Sequence, residues 1–286
     1  MRPATIDSYQ ERLGRVLAHI GEHLDEPLTL DRLADVACLS PFHFHRIFSA
    51  YLGETVSGHV RRLRLEKAAE RLLTGNDNVT ETALAVGYET PAAFAKAFRE
   101  RFGMSPSEFR LRQCATIPPF VAPLSTKEIA MMTAEMREIN DTKVLFVRKS
   151  GAYSEAAAAA WSVLMGYAYQ NRLLNADTWA IGMGNADPAI TPADQLRYDA
   201  CITIHKEVAP EGEIGVQTIP GGRYAVFLHK GAYEGLGDSY RSIFAAWLPA
   251  SGCTLRNAPC FEKYLNRDPR RTKPENLRSE IWLPVE

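Results

Sequence analysis

Two groups of side chains stand out by type and spacing. In the segment 41–51, Phe42, His45, Arg46 and Ser49 fall at i, i+3, i+4 and i+7. On a helix these four share one face. The Arg46 guanidinium can offer two parallel donors to guanine O6 and N7 in a DNA major groove. A neutral imidazole at His45 can donate or accept, Phe42 can lie against a thymine methyl, and the first-turn amides suit a phosphate. Some fifty residues later Ala92, Ala93, Lys96 and Arg99 form a second such face. Its small residues permit close approach to methyl groups, and Lys96 can reach a base edge or a phosphate.

The second group lies in Cys260-Phe261-Glu262-Lys263-Tyr264-Leu265. Strand alternation puts Glu262 and Tyr264 on one face and Phe261 with Lys263 on the other. All four tryptophans fall in this half of the chain. Among its aromatic residues, Tyr153, Trp161, Tyr233, Trp247 and Trp282 are candidates to share a cleft with Glu262 and Tyr264. A carboxylate among aromatic rings suits an apolar cation: the rings attract it and the carboxylate neutralises it. Glu262 reads equally well as solvent-facing or as the partner of an arginine.

Other chemistry is not indicated. Gly182-Met183-Gly184-Asn185 and Ile219-Pro220-Gly221-Gly222-Arg223 are too short for phosphate loops, and the second reads as a turn between strands. Five cysteines, with no C-x-x-C pair, form neither a disulfide scaffold nor a zinc site. His43 and His45 point to opposing parts of a helix and do not form a metal pair. His205 and His229 lie in strand-like stretches without a nucleophile signature. No catalytic residue, metal or cofactor is expected.

The elements that must position these groups can be read from the caps and apolar stripes. A first amphipathic helix covers 6–24. Thr29, Ser40-Pro41, Asn78 with Glu81, Thr90-Pro91 and Ser105-Pro106 are helix starts. The helices pair as two helix-turn-helix units joined by a basic helix carrying Arg61, Arg62, Arg64, Lys67 and Arg71. Pro118, Pro119 and Pro123 cannot continue a helix, so 114–141 is expected to be a linker. Beyond it the pattern repeats. Gly151-Ala152-Tyr153 returns as Gly231-Ala232-Tyr233, Asp187-Pro188 as Asp268-Pro269, and Leu196-Arg197 as Leu277-Arg278. The expectation is a multidomain chain. An all-α double helix-turn-helix domain over 1–113 precedes an α+β domain over 142–286, built from two pseudo-symmetric strand-helix-strand-strand repeats with a cleft between them.

A formal net charge of -1 neither favours nor opposes nucleic acid, and residues 1–113 hold equal numbers of basic and acidic side chains. No apolar run reaches the 18 or more residues needed to span a bilayer. The start lacks a signal-peptide core, so a cytosolic protein without membrane association is expected.

Two resemblances sharpen this reading. Leu28-Thr29-Leu30-Asp31-Arg32-Leu33-Ala34, Ser40-Pro41-Phe42-His43-Phe44-His45-Arg46-Ile47-Phe48 and the run from Val86 to Arg110 resemble the DNA-binding domain of the AraC/XylS transcriptional regulators. That resemblance implies double-stranded promoter or operator DNA as partner, read by Phe42, His45 and Arg46 in one helix and Ala92, Ala93 and Lys96 in the other. Pro91 and Ala92 stand where the family often has a polar residue, leaving fewer hydrogen bonds for the second half-site. His229-Lys230-Gly231-Ala232-Tyr233, the segment from Pro259 to Asn266 and Glu280-Ile281-Trp282-Leu283-Pro284-Val285 resemble the gyrase-inhibitor-like effector-binding module. This implies a hydrophobic, frequently cationic small-molecule effector anchored by Glu262. It leaves two alternatives open: a small-molecule hydrolase or sequestering protein, since some relatives of the module are enzymes, and contact with a protein partner such as RNA polymerase.

Overall fold

The computed structural model describes residues 4–74, 77–112, 132–184, 196–206, 208–266 and 268–286. The chain divides into two compact units, one within 7–127 and the other containing 128–286. The Asp187-Pro188 turn and the clustered prolines of the expected linker lie outside the described residues.

Among the described residues the first unit contains seven helices: α1 (Ala4–Glu22), α2 (Leu30–Ala37), α3 (Pro41–Leu52), α4 (Val56–Thr74), α5 (Val79–Ala85), α6 (Pro91–Phe102) and α7 (Pro106–Leu111). Their starts follow from side-chain chemistry. The Thr29, Ser40, Asn78, Thr90 and Ser105 side chains each accept a hydrogen bond from a first-turn amide, and Pro41, Pro91 and Pro106 sit where no amide is needed. Glu81 and Glu108 return the bond to the cap amides, so two of these starts are capping boxes. Phe94 and Phe98 of α6 pack edge-on with Tyr88 and Phe109 in a core shared with Leu65 and Leu72 of α4.

One arginine ties the two hairpins together. Arg64 of α4 donates through Nε to the Leu24 carbonyl (2.7 Å) and through Nη2 to the Glu26 carbonyl (2.8 Å). Burial holds its pKa below the usual guanidinium range. The turn after α5 lies on top of this tie. Gly87 has φ +83°, and a Cβ there would come within 2.4 Å of the Leu24 carbonyl oxygen and 2.7 Å of Arg64 Nη2. Glycine is the residue that fits both the backbone angle and the space.

The second unit is one eight-stranded antiparallel sheet with helices. Its strands are β1 (Ala134–Ile139), β2 (Thr142–Ser150), β3 (Ala180–Gly184), β4 (Arg197–Thr203), β5 (Gly215–Ile219), β6 (Gly222–Lys230), β7 (Phe261–Tyr264) and β8 (Arg278–Pro284). The order is β1-β6-β8-β7-β3-β4-β2-β5. Strand β1 corrects the expected linker: its charged sequence hides its strand character, but it pairs with β6 from Ala134↔Phe227 to Ile139↔Gly222.

Helix α8 (Tyr153–Gln170) packs Ala156, Ala160 and Leu164 on Leu145, Val147, Ala200 and Ile202 of the sheet. The second helical segment is less regular. It runs as a 3-10 turn (Tyr233–Gly235), α9 (Leu236–Ser242), a π turn (Ile243–Trp247) and α10 (Leu248–Ser251). Pro249 follows the π turn; its ring and missing amide oppose a regular α turn. Gly151 and Gly231, at φ +130° and +123°, lead from strand to helix. Their amides donate to the Leu196 and Leu277 carbonyls at 3.0 and 2.9 Å.

Candidate functional site

The face of α6 is built as its spacing requires. Phe94, Ala97 and Phe98 are buried, while Ala92, Ala93, Lys96 and Arg99 are exposed. Thr90 and Pro91 fix the helix start, so these four side chains share a rigid frame.

Helix α3 differs from expectation. Arg46 and Ser49 are half-buried, and of Phe42 only the backbone lies within the described residues. His45 is 2% exposed, and its Nε2 lies 3.2 Å from Ser49 Oγ. It is therefore turned along its own helix and not presented outward. Helical period gives the side on which a residue leaves the backbone. It does not give the depth of burial, and an imidazole with a polar neighbour one turn away can be enclosed. His43, Phe44, Ile47 and Phe48 are buried as well.

The basic helix α4 holds much of its charge inside the unit. Arg61 pairs with Glu100. Arg62 meets Glu54 (2.8 Å) and Glu66 (3.1 Å), and Arg71 meets Asp77 (2.5 Å). These arginines lock helices and loops together.

In the sheet, β7 lies between β3 and β8, with Gly182↔Glu262 and Glu262↔Ile281 as cross-strand partners. Glu262 is 8% exposed, and its Oε1 accepts the Tyr240 hydroxyl at 2.5 Å. Tyr240 of α9 was missed as a site residue. Its sequence signal is only a tyrosine in an irregular helix, and sequence alone does not show that the helix crosses this strand.

Tyr264, on the same face, is half-buried. Its hydroxyl lies 2.9 Å from that of Tyr198, which accepts the Trp161 Nε1–H at 3.0 Å. Tyr233 and Trp161 pack edge-on to the Tyr264 ring at 5.1 and 5.9 Å, and Tyr153 packs on Tyr198 at 6.1 Å. Burial pushes the Tyr198 and Tyr264 hydroxyls above the usual phenol range, and the Glu262 charge adds to this, so both stay protonated.

The floor of this cluster is glycine. A Cβ on Gly182 would lie 2.3 Å from the Tyr264 hydroxyl oxygen and 2.4 Å from that of Tyr198, and one on Gly184 would lie 2.9 Å from that of Tyr153. The short Gly-Met-Gly run is therefore a platform for phenols and not a phosphate loop.

Trp282 does not belong to this cluster. It is 1% exposed on the opposite face, stacked on Phe261 at 5.3 Å and tilted against Trp179 at 5.6 Å. Sequence composition counted it with the other aromatics, whereas strand alternation in β8 sends it to the other side. Lys263 also points there, 3.8 Å over the Trp179 ring. Trp247 packs edge-on to Phe227 at 4.8 Å, joining the π turn to β6. The structure thus brings Glu262, Tyr264, Trp161, Tyr153 and Tyr233 together with Tyr198 and Tyr240.

Family models match both units. Residues 132–286 match the GyrI-like small molecule binding domain, and 33–112 match a helix-turn-helix domain. The chain belongs to the AraC-type transcriptional regulators with a C-terminal GyrI-like domain. The transcriptional regulator Rob of Salmonella typhimurium is similar at 24% identity over 277 residues, covering 92% of this chain and 94% of that protein. The right origin-binding protein of Escherichia coli K12 is 24% identical over 271 residues, with the same coverage. The regulatory protein SoxS of E. coli K12 is 31% identical over 105 residues, 37% of this chain and 98% of its own length. This regulator is accordingly a DNA-binding protein with a small-molecule-binding domain, and its relatives Rob and SoxS are regulatory proteins. Among the described residues no helix is long and apolar enough to cross a membrane.

Proposed function

We propose that this regulator senses an apolar cation in its C-terminal unit and reads duplex DNA with α3 and α6. The observation that carries the ligand reading is Glu262, a carboxylate enclosed beside Tyr264, Tyr198, Trp161 and Tyr233. Burial of a charge is costly unless it is neutralised or hydrogen-bonded. Tyr240 supplies a hydrogen bond to this carboxylate, and a cation drawn to the surrounding rings would meet its charge. With Glu262 only 8% exposed, the rings must shift to admit a ligand.

The sheet order supports a duplicated unit. Strands β5-β2-β4-β3 and β1-β6-β8-β7 form two runs meeting at β3 and β7, each with a helical segment after its long strand. The ligand cluster straddles that seam. On the DNA side, Arg46, Ser49, Ala92, Ala93, Lys96 and Arg99 form the proposed contact set. Ligand binding alters DNA occupancy only if its affinity differs between two states of the chain.

Glu262→Gln keeps the shape and removes the charge. Calorimetric titration with a matched cationic and neutral aromatic pair should show the cationic compound losing more affinity. An equal loss for both would leave Glu262 a role in shape alone. A chemically altered product, abolished by the same substitution, would favour hydrolysis.

A further inference from the structure

Two stretches of the sequence share one frame at an offset of 81. Asn185, Asp187-Pro188, Thr191 and Leu196-Arg197 recur as Asn266, Asp268-Pro269, Thr272 and Leu277-Arg278. Between these shared letters the stretches differ in kind. Ala189, Ile190 and Pro192 of the first stand where the second has Arg270, Arg271 and Lys273.

The second stretch is the loop between β7 and β8, and its shared letters hold its shape. Asn266 Oδ1 accepts from the Arg278 amide at 2.7 Å, and Asn266 Nδ2 donates to the Asn276 carbonyl at 3.3 Å. Thr272 Oγ1 donates to the Asp268 carbonyl at 2.9 Å, and Asp268 Oδ1 accepts from the Arg270 amide at 3.2 Å. The side chains of Arg270, Arg271 and Lys273 make none of these bonds. Those of Arg270 and Arg271 are 87% and 89% exposed and approach the same Asp268 carboxylate only at 3.7 and 3.5 Å. Exposed pairs of this kind contribute little stability. Lys273 is exposed as well. The loop therefore carries three cations that its own geometry does not use, on a chain whose formal net charge is -1.

We propose that this loop is a second, sequence-independent DNA contact, in which Arg270, Arg271 and Lys273 hold backbone phosphates of the duplex. A protein partner would need an apolar centre to dock on. Within 266–278 the apolar side chains are two prolines and Leu277, and Leu277 is buried. Phosphates need only charge and donors, and the chain is a DNA-binding protein. The proposal does not depend on which side chains of α3 and α6 read bases.

The test is fluorescence anisotropy with the full chain on a duplex selected from a random library, between about 50 and 200 mM salt. Each phosphate contact makes the affinity fall by about 3-fold over that range. The triple variant Arg270→Gln, Arg271→Gln, Lys273→Gln should reduce the salt-induced fall by about 10- to 40-fold, as two or three lost contacts require. Arg271→Gln alone should reduce it by about 3-fold, and decides the matter should the triple variant lose its far-ultraviolet circular dichroism. A control triple, Lys143→Gln, Lys206→Gln, Lys230→Gln, removes three exposed charges elsewhere in the sheet unit and should leave the fall within about 3-fold of the unmodified chain. Preference between the selected duplex and a point variant should be unchanged in the loop variants, because phosphate contacts carry no base information. Equal reductions in the loop and control triples would reduce the effect to net charge and overturn the contact. A lost preference would overturn its sequence independence. An unmoved salt dependence in the folded loop variant would overturn the proposal outright; weaker retention of RNA polymerase on the same duplex would then assign the loop to a protein partner.

Discussion

Single side chains carry different kinds of information on α3 and α6, the two helices proposed to read DNA. Lys96 and Arg99 are exposed on α6, beside Ala92 and Ala93. Arg46 on α3 is the one arginine of its stripe. Arg46→Ala should therefore cost about 1–3 kcal/mol of discrimination between the preferred duplex and a point variant. Lys96→Ala should weaken binding to all duplexes alike and reduce the salt slope by about 1. Fluorescence anisotropy across a salt series, on a duplex selected from a random library, checks both. Loss of affinity without loss of preference in Arg46→Ala would make that residue a phosphate contact. Residue types indicated this division, but spacing misjudged His45 and composition misjudged Trp282. Both errors have the same origin: periodicity gives a direction, and only packing gives depth and side.

Elements were legible where local chemistry decides them. The caps at Thr29, Ser40, Asn78, Thr90 and Ser105 each act within their own first turn, so four or five residues contain the whole cause. Strand β1 was not legible, because its Glu135, Arg137 and Glu138 read as linker until β6 supplies the pairing partner. The π turn before Pro249 was likewise hidden, since the sequence marks a disturbance without fixing its form. Gly87 shows a middle case. A glycine in a turn is ordinary, but what crowds a substitute here is the Arg64 tie beneath it. Gly87→Ala should destabilise the helical unit by about 2 kcal/mol or more, from the left-handed backbone and the crowded Leu24 carbonyl. Thermal denaturation followed by far-ultraviolet circular dichroism measures this. An unchanged helical transition would mean that the turn relaxes without strain.

At the scale of the whole chain, the change of texture near the proline cluster separates helices from sheet, and the two compact units follow the same division. Brief proteolysis should give a helical N-terminal fragment and a mixed C-terminal fragment that retains β1, identified by mass spectrometry. First cuts within β2 to β8 would argue that the sheet unit is the less stable of the two. The repeated landmarks indicate a strand-helix-strand-strand order, and the elements from β2 to β4 and from β6 to β8 run in that order. The landmarks did not give the join, because β3 and β7 meet through only three residue pairs and neither strand announces its neighbour.

That join has a consequence for recognising the same chemistry in other chains. The tyrosine pair depends on a side chain that is missing: Gly182 leaves room for two hydroxyls where a methyl group would displace both. Aromatics alone are therefore a poor guide to a related chain. One that keeps both tyrosines but carries alanine or anything larger on the facing strand must hold them apart, and its appetite for ligands will differ. In an alignment, the most informative letter for this proposed binding site is the one with no side chain.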